Sequence, residues 1–107
     1  MNNSGIKNNS ISTSTNPKSN YNLNKNFTFK KSLKRGSRGA EIIELQNFLI
    51  NKNFLLANLF SLSNPKGSFG PSTEKALKAY QKSIKLETTG AMGPKTRAAI
   101  NAEIKML

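Results

Sequence analysis

Gly67-Ser-Phe-Gly70-Pro71-Ser-Thr73-Glu-Lys-Ala76-Leu77 and, 23 residues later, Gly90-Ala-Met-Gly93-Pro94-Lys-Thr96-Arg-Ala-Ala99-Ile100 are two copies of one pattern, G-x-(F/M)-G-P-x-T-x-x-A-(L/I). Each copy is a device for starting a helix from a tight turn. The first glycine permits a positive φ, the second takes the N-cap, and the proline occupies N1, where its missing N–H costs nothing. Thr73 and Thr96 fall at N3, within reach of the unpaired donors of the first turn. A bulky β-branched residue at Gly70 or Gly93 is expected to strain the cap.

A fainter third copy lies upstream. There Gly36-Ser-Arg-Gly39-Ala40 precedes Ile42, Leu45 and Leu49 at the offsets from Gly39 that Thr73, Ala76 and Tyr80 hold from Gly70. A repeat this short indicates one supersecondary unit used several times, each copy covering the apolar face of the others. Apolar spacing agrees and predicts three helices. The first runs from about Ala40 to Lys52, with Ile42, Leu45, Phe48 and Leu49 inward. The second runs from Pro71 to about Lys85, on Ala76, Leu77, Tyr80 and Ile84. The third runs from Pro94 to about Lys105, on Ala99, Ile100 and Ile104. The expected fold is therefore an all-α, compact three-helix domain with repeated Gly-Pro helix-opening turns. Between the first two helices, Phe54-Leu-Leu-Ala-Asn-Leu-Phe-Ser-Leu62 is too apolar for a free loop. It reads as a short helix or turn closing the core, with a partner-binding patch as its functional reading.

Residues 1–27 differ in kind: sixteen of them are Asn, Ser or Thr. Such a stretch cannot bury enough apolar surface to offset the entropy of ordering, so a disordered tail or linker is expected there and a folded domain over 28–107. Net charge is +12, with 17 Lys and Arg against five acids. The excess persists within 28–107, so a polyanionic partner follows naturally: nucleic acid, an acidic wall polymer or lipid head groups. Lys75, Lys78, Lys82 and Lys85 follow one face of the second helix as a basic stripe, which equally suits a merely solvated surface. The chain lacks any apolar stretch of membrane-spanning length, and its N-terminus lacks the apolar core of a Sec-type leader.

Catalysis finds little support. The chain has no His, Cys or Asp, which excludes Ser-His-Asp and Cys-His chemistry, disulfides and the usual zinc sites, so neither a catalytic residue, a metal nor a cofactor is expected. A glycosidase needs two placed carboxylates, and only Glu residues could supply them. Glu41 and Glu44 share a face of the first helix, but near its N-terminus they are more simply matched to the helix dipole.

Taken together, Leu33-Lys-Arg-Gly36-Ser-Arg-Gly39-Ala-Glu-Ile42-Ile-Glu-Leu45-Gln46, Phe69-Gly70-Pro71-Ser-Thr73-Glu-Lys-Ala76-Leu-Lys-Ala-Tyr80-Gln81 and Gly90-Ala-Met-Gly93-Pro94-Lys-Thr96 closely resemble the peptidoglycan-binding domain family found beside cell-wall hydrolases. The resemblance spans residues 33 to 101. It implies a three-helix module that recognises the bacterial wall, as glycan strand or stem peptide, without cutting it; the positive charge adds anionic wall polymers as expected further partners. The resemblance also implies a location in the cell wall or envelope. Two departures mark this chain: Lys66 stands where the family often carries Asp, and the connection between the first two helices is longer and more apolar.

Most motif positions read as architecture. Gln46 and Gln81, each following a core residue, are read as ties for loop backbone groups ahead of ligand contacts. The candidate ligand contacts are Ser68, Phe69, Ser72, Lys95 and Arg97 on the helix-opening turns, with Arg35 and Arg38 near the first turn. Helix N-termini bring backbone donors and a positive dipole end to these places, which suits the carboxylates of wall peptides. The alternative is a basic nucleic-acid-binding helical domain, against which the third helix offers Ala98, Ala99, Ala102 and Glu103 where base readout wants Arg, Asn or Gln. A structural or adaptor module of a phage or envelope is a third class.

Overall fold

The computed structural model describes residues 24–106, and the expected tail therefore lies mostly outside the described residues. Three helices form, and no strand is present among the described residues: α1 over Ala40–Asn51, α2 over Pro71–Ser83 and α3 over Pro94–Met106. All three start where the repeat puts them. α2 and α3 open on Pro71 and Pro94, and Gly39 and Gly70 are the N-caps of α1 and α2.

The glycines divide more sharply than the motif suggests. Gly67 and Gly90 have φ of 91° and 79°, in the left-handed region that side chains avoid. Gly70 has φ −107°, extended backbone open to any residue, although a Cβ there would stand 2.9 Å from Asn64 Oδ1. At Gly93 a Cβ would meet nothing within 4 Å. The strain expected from a side chain at Gly93 is therefore absent, because the turn's unusual backbone is concentrated three residues earlier.

Helix ends also repeat. After α1, Phe54 N–H donates to Leu49 O (2.8 Å) and Asn53 N–H to Ile50 O (3.0 Å), with Asn53 left-handed at φ 67°. After α2, Leu86 N–H donates to Gln81 O (2.9 Å) and Lys85 N–H to Lys82 O (3.1 Å), with Lys85 at φ 63°. Both are Schellman closures built on a non-glycine residue. This closure stops α2 at Ser83, two residues short of the expected end, and it takes Lys85 off the helical stripe.

The core gathers Ile42, Leu45, Phe48, Leu49, Leu77, Tyr80, Met92 and Ile100, all fully buried, together with Phe29, Leu33, Phe69 and Ile104. Tyr80 lies edge-on to Phe48 and Phe54, with ring centroids 5.3 and 5.7 Å away. The apolar connection divides in two. Leu55 is buried and Phe54, Ala57 and Phe60 pack on the core, while Leu56, Leu59 and Leu62 face outward around a 3-10 turn at Ala57–Leu59. Phe27, on the tail side of the expected boundary, is half-buried and edge-on to Phe29 at 4.8 Å.

Candidate functional site

One buried amide holds each helix-opening turn. From α1, Gln46 Nε2 donates to Ser68 O (3.0 Å) and Thr73 Oγ1 (2.9 Å), while Gly67 N–H donates to Gln46 Oε1 (2.7 Å). From α2, Gln81 Nε2 donates to Ala91 O (2.9 Å) and Thr96 Oγ1 (3.0 Å), while Gly90 N–H donates to Gln81 Oε1 (2.9 Å). The two clamps share these three bonds, Gln81 Nε2 adding a fourth to Thr89 Oγ1 (3.1 Å), and they explain the threonines: each hydroxyl accepts from the glutamine as well as standing in the first helical turn. Both glutamines are fully buried, where an amide without partners would be costly.

The segment before α1 ties the two turns together. Leu33 exchanges both backbone hydrogen bonds with Met92 (3.1 and 2.7 Å). Farther along, Gly39 N–H reaches Gly67 O (3.0 Å) and Phe69 N–H reaches Ser37 O (2.9 Å). Arg35, Arg38, Ser68 and Ser72 are thus carried by neighbouring backbone, and Lys95 and Arg97 by the first turn of α3. Their states differ. Arg35 Nη1 is bound to Glu74 Oε1 at 2.9 Å. Ser72 Oγ accepts from Asn64 Nδ2 at 3.1 Å. Arg38 and Lys95 are exposed, Arg97 is half-exposed, and none of these three has an acidic partner among the described residues. Phe69 departs from its expected role: at 1% exposure its ring belongs to the core, so it anchors the turn and offers a ligand no face.

Beside the start of α3 lies a groove of about 450 Å³. Lys85, Leu86, Glu87 and Thr89 form one wall, and Gly93 to Thr96 form the other. Lys85, displaced from the stripe by the Schellman closure, shares this groove with Lys95. The remaining stripe of Lys75, Lys78 and Lys82 is exposed along α2. Leu86, Glu87 and Thr89 carried no motif signal, since only the chain reversal after Lys85 turns them toward Pro94. A second open groove, of about 440 Å³ beside Phe27, Thr28 and Glu41, contains no candidate residue.

The perturbed groups lie away from this groove. Tyr80 OH donates to Glu103 Oε2 (2.5 Å), and Lys52 Nζ approaches Glu103 Oε1 at 2.8 Å. Burial above all, and then Glu103, pushes the Tyr80 phenol far above its ordinary range. For Glu103, burial raises the pKa, but hydrogen bonds from Lys52 and Tyr80 outweigh it and the net shift is downward. This trio is a strut between helices. Among the described residues, no group of three or more potential ligands could hold a metal ion.

The sequence model of the family described as "Putative peptidoglycan binding domain" matches residues 38–100, more than half of the chain. The chain belongs to the peptidoglycan-binding domain family. Both amide-clamped turns fall inside the match. No curated protein sequence matches the chain. Among solved structures, the SleB N-terminal domain is similar at 28% identity and TM-score 0.62, over 74% of this chain and 100% of that one. An endolysin of the Burkholderia phage AP3 is similar at 33% identity and TM-score 0.52, over 68% of this chain and 26% of that one. An L,D-transpeptidase of Xylanimonas cellulosilytica is similar at 31% and 0.52, over 69% and 33%. The match thus covers the whole of the first structure and about a quarter and a third of the other two.

Proposed function

We propose that the chain is a non-catalytic targeting module that holds bacterial peptidoglycan by its stem peptides, in the groove between the 85–89 segment and the start of α3. The family match over residues 38–100 carries this reading. Support for the groove comes from its chemistry. Lys85 and Lys95 supply two cations, the first-turn N–H groups of Lys95 and Thr96 supply donors, and Leu86 and Pro94 supply apolar wall. A short peptide ending in carboxylate needs that combination. Glycosidic cleavage in this groove would need a second carboxylate opposite Glu87, and the groove walls offer none.

Binding should have two separable parts. The exposed Lys75, Lys78 and Lys82 act at long range and are screened over about 8 Å at physiological ionic strength, so their share fades as salt rises. Groove contacts of fixed geometry persist. Co-sedimentation with purified sacculi across a salt series tests this. Lys75, Lys78 and Lys82 changed together to Gln should flatten the salt dependence while leaving binding at high salt. Lys85→Ala with Lys95→Ala should remove the high-salt part, and soluble stem peptide should compete for it where free glycan does not. Wild-type protein that ignores sacculi at every salt yet retards duplex DNA with a steep salt slope would replace this reading by the nucleic-acid one.

A further inference from the structure

The connection between α1 and α2 carries a feature that neither turns nor groove explain. Leu56, Leu59 and Leu62 are 63%, 46% and 103% exposed, at every third position around the 3-10 turn. Leu62 sits at the tip of a tight reversal in which Ser61 and Asn64 exchange both backbone hydrogen bonds (3.0 and 3.1 Å). The reversal is braced, since Asn64 Nδ2 donates to Leu59 O (3.0 Å) and to Ser72 Oγ (3.1 Å) on the first turn of α2. A leucine as exposed as in an open chain, on backbone tied to the scaffold, is held out in water at a cost that folding does not require.

Charge indicates the occupant. From Leu45 to Thr73 the chain has no acidic residue and the whole chain carries +12; of the two lysines that flank the leucines in sequence, Lys52 is paired with Glu103, which leaves Lys66. Lys66 Nζ is bound to the neutral Asn47 Oδ1 (2.6 Å), so its charge is uncompensated. Protein interfaces draw their binding energy chiefly from Trp, Tyr and Arg in fitted pockets and under-use Leu. A protruding leucine tip in an acid-free segment that ends on the unpaired charge of Lys66 suits a soft apolar layer beneath anionic head groups. There, shallow insertion and electrostatic attraction must act together for stable association. The geometry points to a second binding surface at Leu56, Leu59 and Leu62 that inserts into an anionic lipid bilayer, independently of the groove at α3.

The full chain has no Trp, so Leu62→Trp places a single reporter at the tip, where full exposure makes the substitution harmless to the fold. With vesicles of phosphatidylglycerol and phosphatidylcholine in equal parts, its emission should shift to the blue, and with phosphatidylcholine alone it should not. Leu56→Ser with Leu62→Ser should weaken flotation with the mixed vesicles about tenfold or more, because both insertion and charge are needed. Flotation of Leu62→Trp with mixed vesicles without a blue shift, or equal binding by the double variant and wild type, would reduce the contact to charge alone and overturn the proposal. So would a blue shift without vesicles that grows with protein concentration, which would assign the leucines to a second copy of the chain.

Discussion

At the scale of single residues, glycine and glutamine divide the labour of the repeat. Gly90 turns its N–H onto Gln81 Oε1 with φ 79°, and a Cβ there would come within 2.8 Å of Glu74 Cγ and Lys78 Cε. Those side-chain atoms can move; the left-handed backbone cannot, because Gln81 fixes both Gly90 and Ala91. Gly90→Ala should therefore destabilise the fold by roughly 1–2 kcal/mol, the cost of a Cβ in the left-handed region. Gly93→Ala, in open space, should leave stability within a few tenths. Urea titrations of the two variants check the difference, and equal losses would mean that position within the motif, rather than φ, governs them. The sequence alone showed that both glycines belong to a turn. It did not show which one was strained, because φ depends on where the clamping amide pulls the chain. Gln46 and Gln81 were readable as ties, while Asn101, whose amide exchanges hydrogen bonds with Phe29 N–H and O (2.8 and 3.0 Å), was not. No repeated motif surrounds it.

Between elements, the joint that matters most is the one from α1 through α3 to α2, where Lys52, Glu103 and Tyr80 meet. Helical periodicity placed Tyr80 in the core, but periodicity is blind to which carboxylate its hydroxyl will find. Glu103 was read only as a residue unsuited to base readout. Its lowered pKa means that the native state binds its proton less readily than the unfolded chain. The stability it contributes is complete above the ordinary carboxylate range and is lost as pH falls through the lowered native value. Tyr80 has the opposite consequence. Its phenol is raised above the ordinary 10.0, so above that pH the unfolded chain gives up a proton that the native state keeps, and stability falls as pH rises. Stability measured by denaturant against pH should decline at both ends. Tyr80→Phe should remove the tyrosine's part of the alkaline decline, at a cost of about 1 kcal/mol near neutrality for the lost hydrogen bond. Glu103→Gln should shallow the acid limb. A pH profile unchanged in both variants would show that the trio is not coupled to folding.

For the whole molecule, three helices in this order were legible because the Gly-Pro signals fall in frame with apolar periodicity, and each points to the same core. What was not legible is how the chain before α1 completes that core. Composition marked residues 1–27 as a tail, and the excess of Asn and Ser there hid Phe27, while no motif showed what Phe29, just inside the expected domain, would pack on. Phe29 is 2% exposed, is gripped by Asn101, and supports Phe27 edge-on. The segment then runs through Leu33, paired with Met92, to Gly39, paired with Gly67, so it touches both turns that carry the candidate site. Two truncations should therefore behave very differently. Removing residues 1–23 should leave the melting temperature nearly unchanged, because their composition cannot build a core. Removing residues 1–29 should lower it steeply. That loss takes a buried aromatic, worth roughly 3–5 kcal/mol when cut to alanine, and leaves the Asn101 amide without its backbone partners. Wall binding should follow the same division if the 33–39 strip positions the turns, with the shorter truncation binding sacculi like the intact chain. A shorter truncation that melts far below wild type would show that residues before 24 contribute to the folded domain and that its boundary lies earlier.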